Sequence, residues 1–396
     1  MARLLEGCPA AVGGDITGTQ LAAVLGTERA PLLVDVREPD EFAAWSIPGA
    51  GNVPLEDLLA HPESAAGDTA IVTVCASGRR SARAAEALRL AGIPAQNLTG
   101  GMQAWAGVYD TATCQAGAAT IVQLRRRAKG CLSYVVGSGT TALVVDPSLD
   151  VDRYLETASA NGWRVRLVVD THLHADHVSG ARALAAAAGA SLRLSGGERY
   201  GFAHEPLQGG EQLAVGRSVV SVVGSPGHTK GSILLDVDGE ALFTGDTVFV
   251  DGVGRPDLAD AAEEFAQELH ASLHGVVLVR DDGVRVLPAH FGPGVAVVPG
   301  QVVGATIGEL RAALAPLSWD AERFVAWAST RATPRPPNYV EIVRVNAGER
   351  EAGSEECRGL ELGPNRCAAR RRRGGTPPGP RARGRRPTRS RGAPPG

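Results

Sequence analysis

Seven consecutive residues constrain this chain more than any others: positions 171–177, Thr-His-Leu-His-Ala-Asp-His. They follow the apolar run 165–170 (Val-Arg-Leu-Val-Val-Asp), which reads as a buried strand. After Val178-Ser179-Gly180 comes the alanine-rich stretch 181–188, which reads as a helix. Three imidazoles and a carboxylate therefore crowd one strand-to-helix turn. Such a cluster is costly for a loop with no other task, and it has the composition of a metal site.

The 396 residues leave room for two domains and a tail. With 44% hydrophobic and 21% charged residues the class is a soluble globular protein. No window approaches the twenty uninterrupted apolar residues of a membrane span, and residues 1–11 make no convincing signal peptide. The six cysteines (Cys8, Cys75, Cys114, Cys131, Cys357 and Cys367) show no paired spacing, so free thiols and a cytoplasmic location are expected. The net charge of -3 conceals eleven arginines from Arg366 onward, which leave the remainder of the chain acidic.

In the N-terminal part, a capped helix (15–25) leads to strand 32–37, and a second apolar strand, 70–74, ends on Cys75. The loop Cys75-Ala76-Ser77-Gly78-Arg79-Arg80 follows, and Ser81 opens a helix to about Leu90. A cysteine between a strand end and a helix N-terminus sits in a positive field. Backbone N–H groups and Arg80 are expected to stabilise its thiolate. Asp35-Val36-Arg37-Glu38-Pro39-Asp40-Glu41-Phe42, Ile47-Pro48-Gly49-Ala50, the Cys75 loop and Gly100-Gly101-Met102-Gln103-Ala104-Trp105 occur in an order that resembles a rhodanese domain. The resemblance implies that Cys75 carries sulfane sulfur as a persulfide, with Arg80 assisting and Ala76, Ser77, Gly78, Arg79 and Ser81 cradling the sulfur. Trp45-Ser46 departs from the Gly-His common in that family, a change expected to act on packing. The domain is assigned to residues 1–108, and 109–119, without periodicity, to a linker.

From residue 120 the pattern becomes strands separated by turns: 121–124, 133–136, 142–147, 218–223, 232–237, 241–246 and 284–290. Four strands deliver His or Asp from their C-terminal ends: the 171–177 cluster, His228, Asp246 and His290. Ligands presented on one rim of a sandwich can converge. This order of motifs resembles the metallo-β-lactamase superfamily over residues 120–347. The resemblance implies an αββα sandwich, so the fold class expected is α/β: a rhodanese α/β domain, then the sandwich, then an Arg/Pro/Gly-rich tail (348–396) unable to build a core.

Two branches of that superfamily share these residues. Glyoxalase II-type hydrolases hold two zinc or iron ions and attack thioesters. Persulfide dioxygenases hold one Fe(II) by a facial triad, which maps onto His172, His228 and Asp246 and leaves positions open for O2 and substrate. His174, Asp176, His177 and His290 are then either second-metal ligands or groups that orient the triad. Gly254-Arg255-Pro256-Asp257 is similar to the Gly-Arg-Thr-Asp of the dioxygenases, where the arginine is expected to bind a glutathione carboxylate. Pro334-Arg335-Pro336-Pro337-Asn338-Tyr339 is similar to that branch's proline-rich close. Phe291-Gly292 replaces the Asp-Tyr often found after the last histidine.

The expectation is therefore a rhodanese–persulfide dioxygenase fusion in sulfide metabolism, with one Fe(II), or, as the alternative, a two-metal thioester hydrolase. Its small-molecule partners would be glutathione persulfide or another low-molecular-weight thiol persulfide, with sulfite and thiosulfate. A homodimer is left open. The basic tail carries no interleaved aromatic residue, so nucleic acid is not an expected partner. Lys230 is read as solvated, and Cys131 as a small hydrophobe in the first sandwich strands.

Overall fold

Alternation along the strands sets the layers. Tyr134, Val136, Leu143, Val145 and Val169 face one core, while their neighbours Val135, Ala142, Val144 and Val168 face another. A period of two with both faces apolar demands cover on both sides of the sheet. The computed structural model describes residues 14–65, 69–256, 261–330, 338–361 and 368–369. The sequence readings at Cys8, Cys367, residues 1–11, Asp257, Pro334 to Pro337 and the arginine run from Arg370 lie outside the described residues.

The N-terminal domain runs α1 (Gly18–Val24), β1 (Leu32–Asp35), α2 (Pro39–Ala44), β2 (Gly51–Asn52), α3 (Leu55–Ala60), β3 (Ile71–Val74), α4 (Arg79–Leu90), β4 (Ala95–Asn97) and α5 (Gly101–Trp105). Its parallel sheet has the order β2-β1-β3-β4, so β3 is interior and ends on the cysteine loop. Thr17, rather than Asp15, caps α1, and α4 begins at Arg79, two residues before the expected Ser81. Trp45 acts on packing: its Nε1 donates across the domain boundary to Ala128 O at 3.1 Å.

The second domain opens with β5 (Tyr109–Ala116), β6 (Ala119–Arg126), β7 (Cys131–Ser138), β8 (Thr141–Val145), α6 (Val151–Ala160), β9 (Arg164–Asp170), α7 (Ala181–Ala188), β10 (Ser191–Ser195) and β11 (Glu205–Leu207). These strands form one sheet ordered β11-β10-β9-β8-β7-β6-β5. The linker expected at 109–119 is corrected here: 109–116 is the edge strand of that sheet, paired with β6 along its whole length. Its small and threonine-rich composition hid a strand that is buried only at alternate positions near its end.

The opposing sheet holds β12 (Gln212–Val215), β13 (Ser218–Gly224), β14 (Ile233–Val237), β15 (Ala241–Gly245), then, after β16 (Val248–Phe249), β17 (Gly252–Gly254) and α8 (Ala262–Ser272), β18 (Arg285–Pro288) and β19 (Ala305–Thr306). Val220, Val222, Leu235, Phe243 and Leu287 meet the first sheet in a common core. Outside lie α6 and α7 on one face, through Tyr154, Ala158 and Leu184, and α8, α9 (Ile307–Ala313) and α10 (Ala321–Thr330) on the other, through Leu269, Leu310 and Phe324. This is the αββα sandwich expected.

The chain does not leave the domain at 347. Helix α11 (Tyr339–Asn346) and helix α12 (Ser354–Leu360) pack back onto the ligand-bearing edge, where Ile342 and Cys357 bury against Val178. The expected tail boundary at 348 is thus corrected to beyond Glu361, which is itself 3% exposed. Helix α12, a short segment with Glu355, Glu356 and Arg358, has no apolar periodicity to mark it. Among the described residues no helix is long and apolar enough to cross a membrane, and Cys75, Cys114, Cys131 and Cys357 are free thiols.

Phe243 is fully buried between the two sheets, 4.6 Å ring-to-ring from Tyr134. Phe243→Ala is expected to lower the stability of this domain by about 3–5 kcal/mol in chemical denaturation. A loss under about 1 kcal/mol would contradict the layered core.

Candidate metal centre and cysteine loop

Each ligand stands just past a strand end on one rim. β9 leads to His172, β13 to the turn carrying His228, β15 to Asp246 and β18 to His290. The approach is close: Gly245 has φ +49°, and a Cβ there would lie 2.5 Å from Thr171 Oγ1. Only glycine accommodates both demands.

His172, His228 and Asp246 are each about 1% exposed. Asp246 Oδ2 lies 3.8 Å from His172 Nε2 and 3.4 Å from His228 Nε2. None of these three atoms has a hydrogen-bond partner. Buried polar atoms are normally paired, and three orphans facing one another match the donors a cation requires. Their other atoms are engaged. His228 Nδ1 donates to Arg255 O at 3.0 Å. Thr171 Oγ1, which donates to Asp146 Oδ2, accepts from His172 Nδ1 at 3.0 Å. Both bonds place the proton on Nδ1 and leave the Nε2 lone pair free. Burial pushes both imidazoles below their ordinary range, His172 strongly, which keeps those lone pairs unprotonated.

His174 points elsewhere. Its Nε2 is 3.2 Å from Asp146 Oδ1 and 3.8 Å from Asp170 Oδ1, forming a separate buried group. Burial opposes its charge, but Asp146 outweighs it and lifts the imidazole to about 9. Burial also lifts Asp170 to about 7. A third group contains Asp176, His177, His290 and Cys131. His290 Nδ1 donates to Asp246 Oδ1 at 2.5 Å, and its Nε2 lies 2.8 Å from Asp176 Oδ2. Against the cost of burial, these two carboxylates hold His290 well above the usual imidazole range. His177 Nδ1 sits 3.0 Å from Asp176 Oδ1.

Cys131 was read as a small hydrophobe, but its Sγ donates to Asp176 Oδ2 at 3.7 Å. Asp146 and Asp170 were overlooked as well. Both follow the rule that exposed the other ligands, a carboxylate at the end of an apolar strand. Lys230 is not simply solvated: its Nζ pairs with Glu264 at 2.5 Å and Glu268 at 2.7 Å. Arg255 is 1% exposed, and its carbonyl orients His228. Beside His228 opens a cavity of about 300 Å³, bordered by Leu173, Lys230, Phe265, Tyr339 and Val343. His228 is the member of the triad that borders it.

In the N-terminal domain Cys75 is buried at the foot of α4. Its Sγ accepts from Gly78 N at 3.2 Å and lies 3.2 Å from Ser81 Oγ, whose proton is shared with Asn97 Oδ1 at 2.7 Å. Burial works against the thiolate, but Ser81 and the backbone N–H groups of Ser77, Gly78 and Ser81 prevail and lower its pKa. The loop is held from behind by α5: Met102 N donates to Cys75 O at 2.8 Å and Gln103 N to Ala76 O at 3.0 Å. Gly101, at φ +56°, permits this, because a Cβ there would fall 2.2 Å from Cys75 O. Arg80, expected to stabilise the thiolate along with the backbone N–H groups, forms a two-pronged pair with Glu41, both contacts 2.8 Å, and the Cys75 charge acts on it electrostatically without a direct hydrogen bond.

A metal-liganding edge on an αββα sandwich, behind a domain built around one activated cysteine, defines a two-domain class of metalloprotein. Residues 17–107 match the rhodanese-like domain family and residues 126–291 the metallo-β-lactamase superfamily. The chain therefore carries a rhodanese-like domain followed by a metallo-β-lactamase domain. It is similar to the hydroxyacylglutathione hydrolase of Anaeromyxobacter dehalogenans, 37% identical over 175 residues, which are 43% of this chain and 65% of that protein. It is similar to the mitochondrial persulfide dioxygenase ETHE1 of Bos taurus, 28% identical over 229 residues, 56% of this chain and 85% of that protein. The crystal structure of ETHE1 from Myxococcus xanthus superposes with a TM-score of 0.51 at 28% identity, covering 57% of this chain and 97% of the other. The chain spans less than two thirds of the hydrolase's length.

The Cys75 environment is testable by itself. Alkylation of the Cys75 peptide, followed by mass spectrometry across a pH series, is expected to half-saturate below the pH of an ordinary thiol. Ser81→Ala is expected to move that midpoint upward. A midpoint at or above the ordinary value would contradict the cradle described.

Proposed function

We propose that this protein is a persulfide dioxygenase coupled to a rhodanese-type sulfurtransferase. The substrate would be a low-molecular-weight thiol persulfide, glutathione persulfide being the first candidate. RSSH, O2 and water would give RSH and sulfurous acid, ionised to sulfite. The observation that carries this reading is the separation of His174 from the triad. A two-metal hydrolase would need that imidazole on its first ion, yet it is bonded to Asp146. His290 bridges Asp246 and Asp176 through its two ring nitrogens, so both are engaged with carboxylates in this arrangement.

His172, His228 and Asp246 fit a single Fe(II), which when bound would supply coordination positions open to the persulfide sulfur and O2. The remaining work belongs to the chain. Arg255 O and Thr171 Oγ1 fix the two imidazoles, and His290 occupies Asp246 Oδ1 so that Oδ2 faces inward. The walls Leu173, Phe265 and Val343 exclude water from the reactant. In the other domain the Cys75 thiolate would take the outer sulfur of a persulfide, forming Cys75–S–SH and releasing the thiol. Attack by sulfite on that outer sulfur would return the thiolate and yield thiosulfate. Arg255 is proposed to face the carrier's carboxylate through its guanidinium.

A second reading is a two-metal thioester hydrolase, favoured by the 37% identity to the hydroxyacylglutathione hydrolase. An oxygen electrode separates the two. With Fe(II)-loaded protein and glutathione persulfide, O2 uptake with one sulfite per O2 is expected, falling at least 10²-fold in Asp246→Ala, while Cys75→Ser retains O2 uptake and loses thiosulfate formation. Hydrolysis of S-lactoylglutathione without O2 uptake would overturn the proposal.

A further inference from the structure

Residues 172–177 form a loop, so the aim of their side chains is only as exact as the groups that fix their backbone. On the sheet side the loop is anchored at Thr171, whose N–H donates to Asp146 Oδ1 at 2.7 Å and whose carbonyl accepts from Ile233 N at 2.9 Å. Its other end is held by the C-terminal segment. Asn346, the last residue of α11 and 9% exposed, donates through Nδ2 to His174 O at 2.9 Å and to His177 O at 2.8 Å. Its Oδ1 accepts from Ser179 N at 2.9 Å. Three of the four hydrogen-bonding positions of one amide are thus spent on this single loop. Glu361, past the end of α12, accepts from Val178 N at 2.8 Å through Oε1. Its Oε2 pairs with Arg126 at 2.6 Å, and its carbonyl accepts from Lys129 Nζ at 2.7 Å. Arg126 Nε in turn donates at 3.0 Å to Ala106 O, at the end of α5 in the N-terminal domain.

We propose that Asn346 and Glu361 are positioning residues for the metal centre. The proposal rests on the reading of His172, His228 and Asp246 as that centre. The route is short and made of contacts already given. The two residues fix the backbone from His174 to Ser179; Asp176, inside that span, holds His290; His290 holds Asp246 Oδ1 and so aims Oδ2 at the two free imidazole nitrogens. Side chains bonded directly to a metal ligand commonly govern metal affinity by about 10–100-fold; Asn346 and Glu361 act further out, through the loop backbone, and a smaller effect is expected of them. Helix α11 also supplies Tyr339 and Val343 to the wall of the cavity beside His228, so one element shapes the reactant's approach and steadies the ligands.

The test uses the full-length protein stripped of metal and titrated with Co(II), read by the visible d–d bands and, for folding, by circular dichroism. Wild type is expected to show a saturable spectrum that His172→Ala abolishes. Asn346→Ala is expected to bind up to about 10-fold more weakly, the low end of the range for groups bonded directly to a ligand, with shifted band positions and an unchanged circular dichroism spectrum. Glu361→Gln keeps an oxygen for Val178 N but sets an amide N–H against the Arg126 guanidinium, so its band positions are expected to lie between those of wild type and those of Glu361→Ala, which removes both contacts. That pair decides the matter if Asn346→Ala does not fold. Wild-type affinity and bands in both Asn346→Ala and Glu361→Ala would overturn the positioning role. A wild-type spectrum indifferent to His172→Ala would instead overturn the metal centre itself, and with it this inference.

Discussion

Three buried atoms without partners govern this structure: His172 Nε2, His228 Nε2 and Asp246 Oδ2. Each unpaired polar group away from water costs on the order of 1–3 kcal/mol. The fold nevertheless spends four strand ends, a glycine in left-handed conformation and two Nδ1 hydrogen bonds to keep them facing one another. A bound cation would satisfy all three at once. Around them lie two further buried groups, His174 with Asp146 and Asp170, and His290 with Asp176, His177 and Cys131, each drawn together by contacts of its own. The seven histidines and carboxylates thus fall into the triad and two neighbouring groups that also carry metal-ligating atoms.

Much of this was legible in the sequence, for identifiable reasons. The strands leading to the ligands are apolar runs that end abruptly in Gly, Pro or a polar residue, so 165–170, 218–223 and 241–246 fall within a residue or so of the observed elements. The helix at 181–188 has the observed limits because alanine favours it throughout and Gly180 and Gly189 bound it. The cysteine loop was legible because strand, Cys, Gly and helix occur in immediate succession.

What escaped notice depended on contacts distant in the chain. The division of the histidines between the triad and Asp146 is a matter of side-chain rotation, which spacing does not encode. Residues 109–116 gave no strand signal because an edge strand with few large side chains has no strong alternation. The stretch from 348 to Glu361 was not marked by its sequence because it buries little beyond Cys357, and its polar contacts reach residues far earlier in the chain. The pairing of Arg80 with Glu41, 39 residues upstream, is likewise a contact that local spacing does not encode. Joining a sulfur-carrying loop to a metal-binding edge on one chain raises the effective concentration of any intermediate they share, and the Arg126 bond to Ala106 gives that junction a fixed contact.

The account stands on one open triad rather than a two-ion basin, and counting ions tests that most directly. Full-length protein purified without added metal and analysed by plasma mass spectrometry is predicted to carry one iron per chain, lost in His228→Ala and retained in His174→Ala. Two zinc or iron ions per chain, with His174→Ala removing one of them, would contradict it.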